Sequence, residues 1–171
     1  MATIRTTGYT AKPRNPIYTT GKQYRTIPAR AALVTASMAD GDIVELGGPF
    51  TYSDRIARVL TPNASPALTS ATNAKLGFFK KNSLGVLTLI KAGSDALLWN
   101  GVTLAAALSA RDLLFSLNAS LDSTKNIGDL LAQGDDQEPI GGVFLGLTFP
   151  TKPSVDGVLD LDVVVEEATT D

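Results

Sequence analysis

Near its end the chain reads GGVFLGLTFP and then SVDGVLDLDVVVEEA, and the alternation in these two stretches constrains the fold more than any other feature. Val143, Leu145, Leu147 and Phe149 fall on one face of a strand. Leu159, Leu161, Val163 and Val165 fall on one face of another, with Asp160, Asp162 and Glu166 opposite them. Successive side chains of a strand point to opposite sides, so this alternation implies one buried and one wet face, as in an antiparallel sheet.

The region before them has the same texture of short apolar segments punctuated by turns. Residues 31–37 read as a strand, and Asp40-Gly41 in MADGDIVEL is a hairpin signal between that strand and the next. Residues 55–60 and GVLTLIK at 85–91 read as further strands. NAKLGFFKK puts Ala74, Leu76 and Phe78 on one face and Lys75, Phe79 and Lys81 on the other, so one Phe ring is core and its neighbour a candidate interface contact. Asn100-Gly101, inside ALLWNGVTL, is a second hairpin signal. Residues 102–117 fit helix by Ala content and strand by context. NIGDLLAQG reads as one or two helical turns ended by Gly134. Seven or eight strands with frequent Gly, Pro, Asp-Gly and Asn-Gly turns predict an all-β fold, an antiparallel β-sandwich of jelly-roll-like character with at most one or two short helices.

Residues 1–30 differ from everything after them. They show neither strand nor helix periodicity, carry Pro13, Pro16 and Pro28, and hold six bases with no acid. Proline and the residue before it favour extended backbone. The expected organisation is an extended N-terminal arm over residues 1–30 and a β-sandwich domain over 31–171. Such an arm would reach up to about 100 Å at roughly 3.3 Å per residue. Isolated anchors (Tyr9, Ile17, Tyr18, Tyr24, Ile27) and bases (Arg5, Lys12, Arg14, Lys22, Arg25, Arg30) suit the grooves of a protein surface. The modest density of the bases favours that reading over nucleic acid. The opposite end is acidic: from residue 129 onward there are ten acids and Lys152 alone among bases. Polarity of this kind suits a chain that meets partners through complementary patches.

The chain has no Cys and no His. Thiol nucleophiles, disulfides, thiolate or imidazole metal sites and Ser–His–Asp triads are therefore excluded. Carboxylate chemistry survives as a class, with Asp135, Asp136 and Glu138 of GDDQEP as candidates, although adjacent acids in a turn-rich loop fit a solvated loop better. Asp40-Gly41-Asp42 likewise fits a turn. Trp99 fits a core or interface position better than a sugar platform. No apolar run approaches the roughly 18–20 residues of a membrane span, and Arg5, Lys12 and Arg14 interrupt any secretion signal, so synthesis in a cytoplasm is expected. No catalytic role, cofactor or metal is expected.

MADGDIVELGGPF and RIARVLTPN leading to NAKLGFFKK, then DSTKNIGDLLAQGDDQEPIGGVFLGLTFPTKPSVDGVLDLDVVV, carry a resemblance over residues 38–166. In these the chain resembles the head decoration, or cement, proteins of tailed bacteriophages. The resemblance implies a structural virion protein on the capsid exterior, made in the host cytoplasm. Its implied partners are the major capsid protein and further copies of itself, as dimer or trimer. The arm would drape over neighbouring subunits and reinforce their junctions. The alternatives are a carbohydrate-binding or other minor virion β-sandwich, of a fibre or head–tail junction, and a hydrolase built on carboxylates.

Overall fold

A computed structural model describes residues 3–5, 23–61, 71, 73–104, 112–122, 124–132 and 137–167. Among them are nine strands and two short helices: β1 (Thr3–Arg5), β2 (Gln23–Leu33), β3 (Asp42–Phe50), β4 (Arg55–Leu60), β5 (Ala74–Lys81), β6 (Leu87–Leu89), β7 (Trp99–Val102), α1 (Leu113–Leu117), α2 (Ile127–Leu131), β8 (Val143–Phe149) and β9 (Gly157–Glu167). They form two sheets. The larger has the order β1-β3-β8-β5-β6, with β7 also paired to β5, and the smaller has the order β2-β9-β4. Every pairing is antiparallel except β1 with β3. The chain is an all-β sandwich, as its sequence predicts.

The core lies between the sheets. β9 contributes Leu159, Leu161, Val163 and Val165, β8 contributes Val143, Leu145, Leu147 and Phe149, and β5 contributes Ala74, Leu76 and Phe78. β9 keeps the alternation of its sequence, with half-buried residues outward. β8 does not: all seven of its residues are buried. Its outward Phe144 joins Ile43, Phe79 and Leu87 in a second apolar cluster on the far side of the large sheet. Both rings of Phe78-Phe79 are thus buried, one in each cluster, and Trp99 is a core residue. Two glycines make the far side close-packed. A Cβ on Gly77 would lie 2.1 Å from the Ser94 carbonyl oxygen, and one on Gly146 would lie 2.8 Å from the Phe79 ring.

The two Asp-Gly signals mark places where the chain crosses from one sheet to the other, not hairpins within a sheet. β2 and β3 flank Asp40-Gly41 yet belong to different sheets, as do β8 and β9 around Asp156-Gly157. Asp40 accepts from the Lys152 amide at 2.9 Å and Asp42 from the Ala39 amide at 2.9 Å, so these carboxylates build a crossover. Asn100-Gly101 lies inside β7, where the register against β5 slips between Leu76↔Trp99 and Ala74↔Val102. Gly101 has φ +74, which suits a bulge there rather than a hairpin turn. The β5–β6 connection is a true hairpin, its Asn82 carboxamide accepting from the amides of Leu84 and Val86. In the stretch left open at 102–117, α1 is helical and residues 105–111 fall outside the described set. α2 ends at Ala132 in the left-handed conformation, and Gly134 falls outside the described set.

Candidate docking surfaces

β2 runs through residue 30, where the sequence places the end of the arm. Residues 23–33 pair without a break to residues 157–167, so this part of the expected arm is a strand of the small sheet. As an edge strand it tolerates Pro28, which has no N–H to offer a neighbour.

Of the residues expected to form a capsid contact, Tyr9, Lys12, Arg14, Ile17, Tyr18 and Lys22 lie outside the described residues. Arg5 ends β1, opposite Glu45 in register. Tyr24, Arg25 and Arg30 lie together on β2 and are half-buried. The two arginines turn onto the chain's own acids, contrary to a role as free contact residues. Arg25 pairs with Glu167 at 2.9 Å and sits 5.9 Å from the Phe50 ring centroid. Arg30 meets Asp160 at 2.5 Å and Asp162 at 3.1 Å, and donates to the Leu161 carbonyl at 2.6 Å. Across β9, Arg55 pairs with Glu166, its direct cross-strand neighbour. On the outer face of the small sheet Arg30 and Arg55 thus pair with Asp160, Asp162 and Glu166, while Arg25 and Glu167 share the parity of the core-facing residues and pair at the end of the core, so part of the end-to-end polarity of the sequence is used internally.

The acidic motifs serve turns. Glu138 accepts from the Tyr52 amide at 3.0 Å, while Asp135 and Asp136 lie outside the described residues. Asp156 accepts from the amide and hydroxyl of Thr35, and Asp122 from those of Thr124. These hydrogen bonds, with the hydroxyl contribution the larger, hold both carboxyls below their ordinary value. Among the described residues no group of three Asp or Glu side chains could hold a metal. Trp99, Phe50, Phe78, Phe79, Phe144 and Phe149 are all buried, which leaves no row of aromatic platforms for a sugar among the described residues.

Two open grooves meet at Tyr52. One, of about 450 Å³, lies along α2 and includes Lys125 and Asp129. The other, of about 600 Å³, includes Lys80, Lys81, Ile90, Lys91, Pro139 and Ile140. A survey of the described cations singles these grooves out. Arg25, Arg30, Arg55, Lys75 and Lys81 each meet a carboxylate, Arg58 reaches Asp112 at 4.0 Å, and Lys152 donates to the Thr35 and Met38 carbonyls. Lys80, Lys91 and Lys125 make no ion pair among the described residues, and all three line the grooves. None of them was singled out by sequence reasoning. The signal was present in FFKK: with Phe78 inward, Lys80 must share its face, which marks where β5 runs past the core.

The sequence matches no protein-family model and no curated protein. The fold is shared with a solved structure, a chain described as the capsid of Ralstonia phage GP4. The similarity has a TM-score of 0.60 and covers 99% of this chain and 100% of that one, at 13% sequence identity. At that identity the likeness is one of fold.

Proposed function

We propose that this chain is a structural component of a phage virion, a decoration or cement protein that binds the assembled capsid and stabilises junctions between its subunits. The observation that carries the reading is the shared fold with a phage capsid chain over essentially the full length of both. Its partners are the major capsid protein and further copies of itself, and its role is mechanical rather than catalytic. The contact segment is residues 6–22, between β1 and β2, with Tyr9, Ile17 and Tyr18 as anchors and Lys12, Arg14 and Lys22 as charged contacts. Arg25 and Arg30 leave that set because they hold β2 to β9. Each copy attaches modestly, and self-association makes attachment multivalent.

The test uses particles stripped of the protein and rebound with the full chain or with a variant whose residues 6–22 are replaced by a Gly/Ser linker of the same length, which leaves β1 and β2 in place. The full chain is expected to raise the melting temperature of the particle. The linker variant is expected to keep its own fold and to attach at least tenfold more weakly. Equal attachment by the two, or particles that melt at one temperature with and without the protein, would refute the reading. Removing residues 1–30 is the wrong perturbation, since it takes positions 23–30 of β2 with it and uncovers the edge of β9.

A further inference from the structure

We infer that the groove between the β5–β6 margin and residues 137–140 is a second docking site, for an acidic segment of a partner protein that carries an apolar anchor residue. The inference concerns residues other than 6–22 and stands whether or not the chain belongs to a virion.

The groove lies at the β5–β6 margin of the six-stranded sheet. Its lining comes from the end of β5, the residues after β6 and the segment 137–140. Lys80 and Thr88 are directly opposed across β5 and β6, on the face that Phe78 presents to the core two residues earlier. Ile90 follows, packed against the edge of the core. The opposite wall is Pro139 and Ile140, and Ile140 is fully exposed. The exposed Ile140, with the half-buried Ile90 and Pro139, is apolar surface that a partner's side chain would cover on binding.

Charge selects the occupant. Lys81 is committed to Glu45 at 2.8 Å and lies 4.0 Å from the Phe144 ring centroid. Lys80 and Lys91 have no carboxylate among the described residues, although most other described cations have one. Two cations flanking an apolar seat match carboxylates flanking an apolar side chain. Nucleic acid fits less well, because half of the lining named here is apolar and the chain carries a net charge of −2.

The experiment pans a random dodecapeptide library on the full chain, then titrates the enriched peptides against wild type, Lys80→Gln/Lys91→Gln and Ile140→Asp. Lys80 and Ile140 are exposed and Lys91 half-buried, so the variants are expected to unfold at the wild-type temperature. Enriched peptides are expected to carry Asp or Glu on both sides of an aliphatic or aromatic residue. They should bind both variants at least tenfold more weakly and shift the amide resonances of Lys80, Lys91 and Ile140. The inference is overturned if no peptide is enriched, if enriched peptides have no excess of acid, or if the variants bind as wild type does. It is equally overturned if a mixed-sequence single-stranded 20-mer DNA binds the groove, is lost in Lys80→Gln/Lys91→Gln, and outcompetes every peptide.

Discussion

Arg30→Ala separates a structural arginine from a contact arginine. In the fold one guanidinium holds three groups of β9: the carboxylates of Asp160 and Asp162 and the Leu161 carbonyl. The Arg30 side chain is 34% exposed, against 19% and 23% for the two Asp side chains, so the set is neither buried nor freely solvated. Fully exposed ion pairs contribute about 0–1 kcal/mol, whereas hydrogen bonds from a charged group contribute about 1.5–3 kcal/mol. Discounted for solvent screening, the whole set is worth about 1–2 kcal/mol. Removal also leaves Asp160 and Asp162 on one face without the cation between them. For a chain of this length about 1–2 kcal/mol corresponds to a fall in melting temperature of about 2–8 °C. Urea unfolding followed by circular dichroism measures the loss directly. Arg30→Lys is expected to recover less than half of it, since an ammonium cannot serve three acceptors in a fixed fork. A urea midpoint for Arg30→Ala equal to that of wild type would refute the reasoning and return Arg30 to the list of free contact residues.

The far side of the large sheet makes a second prediction. Gly77→Ala places a methyl against the backbone of Ser94 and Asp95, which cannot turn away, and is expected to cost about 1–3 kcal/mol. Gly146→Ala meets the Phe79 ring and the Ile43 methyl, side chains rather than backbone, and is expected to cost less; the reverse order in urea midpoints would refute the packing argument. A third prediction concerns acid. Two hydrogen bonds from Thr35 hold the Asp156 carboxyl below its ordinary 3.8, so their contribution is complete above 3.8 and is lost as pH falls through the lowered value. Thr35→Val removes the hydroxyl donor and should move the Asp156 titration, followed by carboxyl-carbon NMR, up toward 3.8. Its destabilisation should be present at neutral pH and vanish in strong acid. An unchanged Asp156 titration would remove Thr35 as the cause.

The parts of the fold visible in the sequence are those set by local periodicity. β9 faces a core on one side and water on the other, so its pattern is a direct record of its environment. β8 shows the same inward set, but its outward Phe144 and Gly146 could not be read as buried. The cluster that covers them draws on Ile43, Phe79 and Leu87 from three other strands. Turn chemistry was equally legible and equally local. Asp-Gly reports that the chain reverses or bends, not whether the next strand joins the same sheet. The charge polarity failed for a related reason. Arg30 and Asp160 are 130 positions apart, and only the β2–β9 register brings them opposite one another. The grooves at Tyr52 are lined by residues from around 52, 80–81, 90–91, 125–132 and 137–140, which only the fold brings together.

Internal use of Arg25 and Arg30 changes what the N-terminal segment can contribute to the proposed attachment. The six bases of residues 1–30 are reduced to Arg5, Lys12, Arg14 and Lys22, with no acid among residues 1–22. Four charges at surface contacts would supply steering and a modest salt-sensitive attraction, since exposed pairs are individually weak and screened beyond about 10 Å at 0.1 M salt. The weight of attachment then falls on Tyr9, Ile17 and Tyr18, whose large apolar surfaces gain by burial and are insensitive to salt. Attachment built this way should weaken only gradually as salt is raised. Contacts dominated by charge would weaken steeply, and the slope of affinity against salt concentration tells the two apart. On the opposite side of the accounting, Asp160, Asp162, Glu166 and Glu167 are already held by arginines. The acidic end of the chain is thereby less available to bind a neighbouring copy's basic segment, which favours a foreign surface over self-association as the target of residues 6–22.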